Sequence, residues 1–389
     1  MGALIAAILE RVNLPPPEPS PAPPLLFAVD HCFGVRGQGT VLTGTVLRGA
    51  VRVGANVEVP SLKLVKKVKS IQVFHRPVAC AARGDRAGVC LAQLDAKLLE
   101  RGLLCDPGTV PTFTCALAAV QRIRFFKGAL PSKAKLHVSV GHSTLMAELT
   151  FIKGPLRAAA PSRGARSGAA STSSTSIETL VDQMRTLSVA QRASMLYMEG
   201  RQEPVEFEYV DELTDPAADD QAQQTETLPV WAVLVFDTPA VAPSDSLFIG
   251  SRLDLDTNVA GSTCRLALHG HLAAVFDTAD MPPAGVRIFK RKQREGTVER
   301  WADERTAICR GMFKKETDLT MFEGMAVSTA AGHQGVIAGA FGKSGKYKVT
   351  FSDIVPAELR DDPTSDAHKL VLRFKRYLGP EGQAKRMAQ

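Results

Sequence analysis

The chain has 389 residues, 45% of them hydrophobic, and a net charge of +7 at pH 7. That length supports two or three domains with real cores, and the sequence holds no run of about 18 apolar residues that would span a membrane as a helix. Seven cysteines without a C-x-x-C spacing and eight scattered histidines point to reduced thiols in the cytoplasm, and away from a disulfide framework or a metal site.

Residues 2–13 place Leu4, Ile5, Ile8, Leu9 and Val12 at helical spacing, and a Pro-rich linker follows to residue 24. The apolar stripe has no neighbouring helix to cover it, so the segment reads as the last helix of a preceding domain. It lacks the basic start and cleavage site of a signal peptide, and Ile5 and Ala6 break the myristoylation pattern. From Leu25 to Thr109 the signals are all β. Phe27, Val29, His31, Phe33 and Val35 alternate, and Gly44, Gly49 and Gly54 cut β-branched runs into short strands, which predicts a barrel over 25–109. Residues 110–157 and 229–278 predict a second barrel, from strands such as "TFTCALAAVQRI", "AKLHVSV" and "LPVWAVLVF". Between its halves, 158–228 join a small, polar stretch to the acidic "EFEYVDELTDPAADDQ". This segment reads as a mostly disordered insertion with one or two helices, one opened by a capping box at Thr175 and Glu178. Residues 279–389 hold 20 Lys and Arg against 14 Asp and Glu, so most of the net charge lies in a last, basic, β-rich domain. The expected fold class is mostly β, with two barrels followed by that small domain.

The stretch "VDHCFGVRGQGTVLTGTV", Val29 to Val46, packs Gly34, Gly37 and Gly39 as a phosphate loop would. A phosphate loop also needs Lys and a hydroxyl after its last Gly, in G-x-x-x-x-G-K-[ST]; this stretch has neither, and that full pattern occurs nowhere else in the sequence. A dinucleotide fingerprint fails too, because Gly39 is followed by Thr-Val-Leu-Thr-Gly. The remaining reading is a tight turn between two strands.

That corner, "V-D-H-C-F-G-V-R-G-Q-G-T-V-L-T-G-T-V-L-R-G", resembles the start of the second domain of translational GTPases, a barrel that receives the aminoacyl end of a tRNA. Further stretches, among them "LKLVKKVKSIQVFHRPV", "GDRAGVCLAQLDAKLLERGLLC", "RGMFKKETDLTMFEGM", "AFGKSGKYKV" and "LRFKRY", resemble the eukaryotic selenocysteine-specific elongation factor family. The resemblance runs from about Leu25 to the C-terminus apart from 158–228, and no GTPase domain is recognised. It implies two translation-factor-type barrels and a fourth domain. It also implies binding of selenocysteinyl-tRNA for delivery to the ribosome at recoded UGA codons, without catalysis on this chain. GTP and Mg belong to the full-length family, with no cofactor here. Implied partners are the tRNA, the ribosome, and the selenocysteine insertion RNA element or its binding protein, and no membrane. A different class of function is an RNA- or ribosome-binding adaptor derived from such a factor, without delivery activity; a general translational GTPase relative is a third.

Selenol ionises more readily than a thiol, so a selenocysteine side chain is largely anionic at neutral pH, whereas serine is neutral. A pocket that separates them offers positive charge and donors; one charge-assisted hydrogen bond is worth roughly 1.5–3 kcal/mol. By resemblance, Asp30, His31 and Arg86 form that pocket, with His31 and Arg86 as donors and Asp30 orienting or charging His31. Gln72 and Phe74 correspond more loosely to positions at the terminal adenosine, where Phe could pack on the base. The plain alternatives are a surface Asp-His pair and a solvated turn Arg. Strict alternation puts Asp30 and His31 on opposite faces, so both serve one pocket only if the strand bulges there. His137 and His142 are expected to be structural in the second barrel. In the last domain, Arg287, Phe289, Lys290, Arg291, Lys292 and Arg294, with Lys343, Lys346, Tyr347 and Lys348, mix basic and aromatic residues as an RNA or partner surface does.

Overall fold

The computed structural model describes residues 23–37, 39–154, 205–214, 230–255, 264–278, 285–342, 345–361, 368–379 and 387–389, together with residues 2, 4, 5, 7 and 282. Gly2, Leu4, Ile5 and Ala7 are helical. The rest of the expected N-terminal helix, the Pro-rich linker and the helix expected after Thr175 lie outside the described residues.

Leu26–Val35 (β1) and Gly39–Arg48 (β2) form a hairpin. Gly37 has φ +78° and Gly39 φ +128°, values that strain other residues, and a Cβ on Gly39 would meet the Leu91 carbonyl oxygen at 2.9 Å. The glycine cluster therefore turns a chain between strands, as the sequence predicts. The chain continues through Ala50–Arg52 (β3), Asn56–Val59 (β4), Leu64–Val73 (β5), Arg76–Val78 (β6), Cys80–Ala82 (β7), Arg86–Leu91 (β8) and Gly102–Cys105 (β9). The order β4-β9-β1-β2-β8-β5 closes by pairing β4 with β5, a six-stranded barrel; β6 extends β5, and β3 pairs with β7. Its core holds Phe27, Val29, Leu42, Val57, Val59, Val89 and Leu104 at 0% exposure. Each such side chain contributes about 1.5–3 kcal/mol of transfer free energy.

Next come Thr112–Arg122 (β10), Ala134–Val140 (β11), Ser143–Lys153 (β12), Val205–Tyr209 (β13), Val230–Val241 (β14), Leu247–Ser251 (β15) and Leu266–Phe276 (β16). The order β11-β15-β16-β10-β14-β12, with β11 also paired to β12, makes a second ring of six strands. Val286–Trp301 (β17), Thr306–Arg310 (β18), Ala326–Thr329 (β19), Gln334–Phe341 (β20), Lys346–Phe351 (β21), Lys369–Leu378 (β22) and Met387–Ala388 (β23) follow. Here β17-β18-β21-β20-β19-β22 returns to β17. The basic last segment, expected only to be β-rich, is itself a closed barrel around Tyr347, Phe322, Phe351, Val349 and Leu372. By contact density the chain divides into two compact units, 1–128 with 135–148 and 234–277, and 129–134 with 149–233 and 278–389.

The expected insertion needs a correction at β13, which pairs in parallel with β17 and antiparallel with β12. Val205, Phe207 and Tyr209 alternate with Glu206 and Glu208, and Phe207 is 3% exposed. A Cβ on Gly154 would lie 2.2 Å from the Phe207 ring, so the glycine makes room for it. The acids meet bases: Lys375 Nζ donates to Glu206 at 2.6 Å and Arg291 Nε to Glu208 at 2.9 Å. An acidic composition hid a strand whose alternation was intact.

Candidate functional site

One outward face of the first barrel gathers most of the residues the sequence singles out there. Val29 lies opposite Gly44 and His31 opposite Thr43, so the register of β1 shifts and Asp30 is the extra residue of a bulge. Before the bulge Phe27 and Val29 are buried; after it Cys32 packs on the core, while His31 and Phe33 are exposed. The inward phase switches from odd to even residues, which leaves Asp30 and His31 both on the outside. His31, Thr43, Gly88 and Gln72 then form one cross-strand row over β1, β2, β8 and β5.

Gly88 gives that row a floor without a side chain, below an open groove of about 640 Å3. Thr43, Gln72, Phe74, His75 and Arg86 line it, with Phe33, Val35, Val41 and Cys90 as its apolar part. Arg86, Gln72 and Phe74 thus line one groove; Asp30 joins through Arg86, and His31 shares the row without being among the lining residues. Phe74 and His75 sit at φ 49° and 63° between Val73 and Arg76, which pair. This two-residue hairpin favours Asn-Gly, and two ordinary residues at positive φ store strain of order 1–3 kcal/mol each. At this tip Phe74 stands 86% exposed. The sequence reading missed Thr43, Gly88 and His75; their signals were the register across the corner and the "FH" hairpin tip.

Arg86 Nη2 donates to Asp30 Oδ2, and Thr43 Oγ1 donates to Asp30 Oδ1 at 2.8 Å. Burial raises the Asp30 pKa, but the Thr43 and Arg86 hydrogen bonds, with the charges of Arg86 and His31, outweigh it and hold the carboxyl below its usual value. Asp30 therefore orients Arg86, where the sequence suggested His31. Arg86 is 61% and Asp30 34% exposed, so the pair is worth about 0–1 kcal/mol and opens readily. The groove holds a cation that is already paired.

The basic strips of the last domain divide by strand phase. Phe289 is 6% and Tyr347 0% exposed, so both belong to the core and neither is free to stack on a base. Lys290 pairs with Asp211 at 3.0 Å and lies 3.6 Å from the Tyr209 ring centroid, Lys346 pairs with Glu299 at 2.7 Å, and Arg291 is held by Glu208. Arg287 is half-buried, and its charge helps hold the Glu206 carboxyl low. Arg294 lies over three rings, and Lys292 and Lys348 are exposed. Lys343 lies outside the described residues.

Elsewhere, His137 pairs across β11 with Ser251, and burial, then Arg101, pushes the His142 pKa down. Burial pushes the Cys115 and Cys309 thiols up to about 12. Among the described residues all seven cysteines are free, no group of three potential metal ligands occurs, and no helix is long and apolar enough to cross a membrane.

Comparison with known proteins gives three family matches. Residues 39–103 match elongation factor Tu domain 2. Residues 117–270 match the third domain of the eukaryotic selenocysteine-specific elongation factor, and 284–380 the eEFSec C-terminal RIFT domain. A selenocysteine-specific elongation factor of Mus musculus is 40% identical over 349 residues, covering 89% of this chain and 56% of that protein. One from Methanocaldococcus jannaschii is 35% identical over 127 residues, 32% of this chain and 27% of that protein. The chain thus spans little more than half the length of the mouse relative. Translation elongation factor SelB from Methanococcus maripaludis shares the fold. Its apo form has TM-score 0.64 at 21% identity, over 97% of this chain and 65% of that one. Its complex with the GTP analogue GPPNHP has TM-score 0.61 at 22% identity, over 97% and 67%. With these domain matches and the mouse relative in hand, the chain belongs to the selenocysteine-specific elongation factor family.

Proposed function

We propose that the groove on the first barrel receives the selenocysteinyl-adenosine end of a tRNA, as part of a cytoplasmic factor that delivers it to the ribosome. The bulge at Asp30 is the observation that carries this reading, since it gathers Asp30, His31, Thr43 and Arg86 on one face beside Gln72 and Phe74. Arg86 supplies charge to an anionic selenolate, and His31 a second donor at the β1 end of the row. Phe74 supplies an exposed ring for the adenine, worth about 1–3 kcal/mol by stacking. A serine hydroxyl, being neutral, gains less from Arg86. The chemistry is recognition, with no bond made or broken by this chain.

GTP and Mg, which the family implies, find no fitting residues here: the Gly34–Gly39 stretch is a hairpin corner, and Gly342-Lys343-Ser344 has Ile337 where G-x-x-x-x-G-K-[ST] needs its first glycine. No step is assigned to them. The test joins this chain to the N-terminal part of the mouse relative and times deacylation of selenocysteinyl- and seryl-tRNA. Arg86→Ala should lower the selenocysteine preference about tenfold, the low end for a charged hydrogen bond in an open groove. An unchanged ratio, with RNA still bound, would favour the adaptor reading.

A further inference from the structure

The last barrel carries a second cationic cavity, apart from the groove on the first. Along the β17–β22 pair Arg294 lies opposite Leu372, Lys292 opposite Phe374 and Lys290 opposite Arg376. Leu372 is a core residue, so Arg294 points inward and caps the aromatic end of that core. Its guanidinium carbon sits 5.4, 5.0 and 5.8 Å from the ring centroids of Phe313, Phe322 and Phe374. Above it opens a cavity of about 410 Å3 lined by Lys292, Arg294 and Arg376. That volume lies in the roughly 300–1,000 Å3 range of small-molecule sites.

Three cations share this cavity with one carboxylate, Asp318. Its Oδ1 is taken by the Thr320 amide at 3.0 Å and the Thr320 hydroxyl at 2.6 Å. Among the described residues no carboxylate pairs with Lys292, Arg294 or Arg376. Burial pushes the Arg294 pKa down, and the charge of Arg376 pushes it further. Two guanidinium groups that repel each other at a half-buried position, with aromatic rings fixing one of them, form an unmet demand for an anion. Guanidinium forks match phosphate oxygens in pairs, and desolvation strengthens such bonds.

We propose that this cavity is a phosphate-binding site, in which Arg294 and Arg376 grip a phosphoryl group and Lys292 adds a third positive charge. The phosphoryl group can come from an RNA backbone diester or from a free monoester such as inorganic phosphate or a mononucleotide. The proposal is independent of the reading of the first barrel.

Melting of the 389-residue chain in phosphate against chloride at equal ionic strength tests it, with AMP and a ten-nucleotide RNA lacking terminal phosphate as further probes. The wild-type chain should melt higher with a probe that fits. Arg376→Gln should melt no lower than wild type in chloride, because it removes repulsion, yet bind the fitting probe about ten- to a hundredfold more weakly. Arg294→Met keeps an apolar side chain over the three rings and should lose the same gain; Lys292→Gln is the fallback should it fold poorly. A variant-sensitive response to RNA alone assigns the site to a backbone phosphate, and one to phosphate and AMP alone assigns it to a free monoester. If wild type and Arg376→Gln respond alike to every probe, the proposal is overturned.

Discussion

Replacing Asp30 by Asn separates two roles that the Asp30–Arg86 pair combines. The amide keeps one oxygen to accept from Arg86 and turns its NH2 to donate to the Thr43 hydroxyl oxygen, so the local geometry survives, but the negative charge is gone. In the wild-type groove that charge faces any anion brought to Arg86. Two unit charges about 6 Å apart interact by about 0.7 kcal/mol in water and about 2.8 kcal/mol at an effective dielectric of 20. With the two side chains 61% and 34% exposed, the screened end applies, and about 1 kcal/mol, or roughly fivefold, is the expected change.

Asp30→Asn should therefore raise the preference for selenocysteinyl- over seryl-tRNA about fivefold, while Arg86→Ala lowers it. In the double variant a smaller gain should remain, because the direct repulsion is still relieved while the share that acts through the freed guanidinium is lost. The assay is the deacylation ratio described above, with circular dichroism to show that each variant folds; loss of an exposed ion pair costs at most about 1 kcal/mol. A fall in the ratio for Asp30→Asn would refute the competition between carboxylate and selenolate, leaving Asp30 as a positioning residue for Arg86.

At the hairpin tip, changing Phe74 to Asn and His75 to Gly supplies the residues that positive φ favours, so thermal melting should show stabilisation by about 1 kcal/mol. Binding of an aminoacylated tRNA 3′ end should weaken at the same time, by the stacking that Phe74 provides; a variant that gains stability and loses no affinity would remove Phe74 from the site. On β13, Glu206→Gln should cost about 1 kcal/mol near pH 7, since its carboxylate accepts from Lys375 and Tyr377 and is about one-third exposed. Burial raises the Glu206 pKa, but those bonds and the charges of Lys375 and Arg287 lower it below the ordinary 4.5. The stabilisation is thus present above pH 4.5 and lost as pH falls through the depressed value, and melts of wild type and variant should converge in acid.

The first barrel was legible because its signals are local. Alternation over Phe27 to Val35 and the failure of "GQGTVLTG" as a phosphate loop both describe a few neighbouring residues. The bulge was legible only as a condition: two adjacent residues had to serve one face, and a bulge is how a strand does that. The partners of Asp30 were out of reach, since Thr43 and Arg86 come from β2 and β8, and the register across three strands decides which meets the carboxylate. Composition misled at β13, where acidic residues suggested an unpaired segment. Glu206 and Glu208 are acidic because the strand lies against Lys375, Tyr377 and Arg291, while Phe207 fills the space over Gly154.

The same phase rule explains why the basic strips were overread. In "RIFKRKQR" and "KYKV" the eye meets base and aromatic side by side, but a barrel strand sends neighbours to opposite faces. Tyr347 fell inward and Lys348 outward, so the mixture in sequence is a separation in space. Lys290 and Lys292 share the inward phase of Arg294, but Arg294 is the one whose guanidinium lies over the rings of the barrel core. Its position is tolerable because Phe313, Phe322 and Phe374 take the guanidinium's faces, and its edge is left toward the cavity shared with Arg376. A cation kept on the inward phase beside a second cation costs stability that an apolar residue would not. A fold that retains it without a ligand is harder to account for than one that retains it to hold an anion.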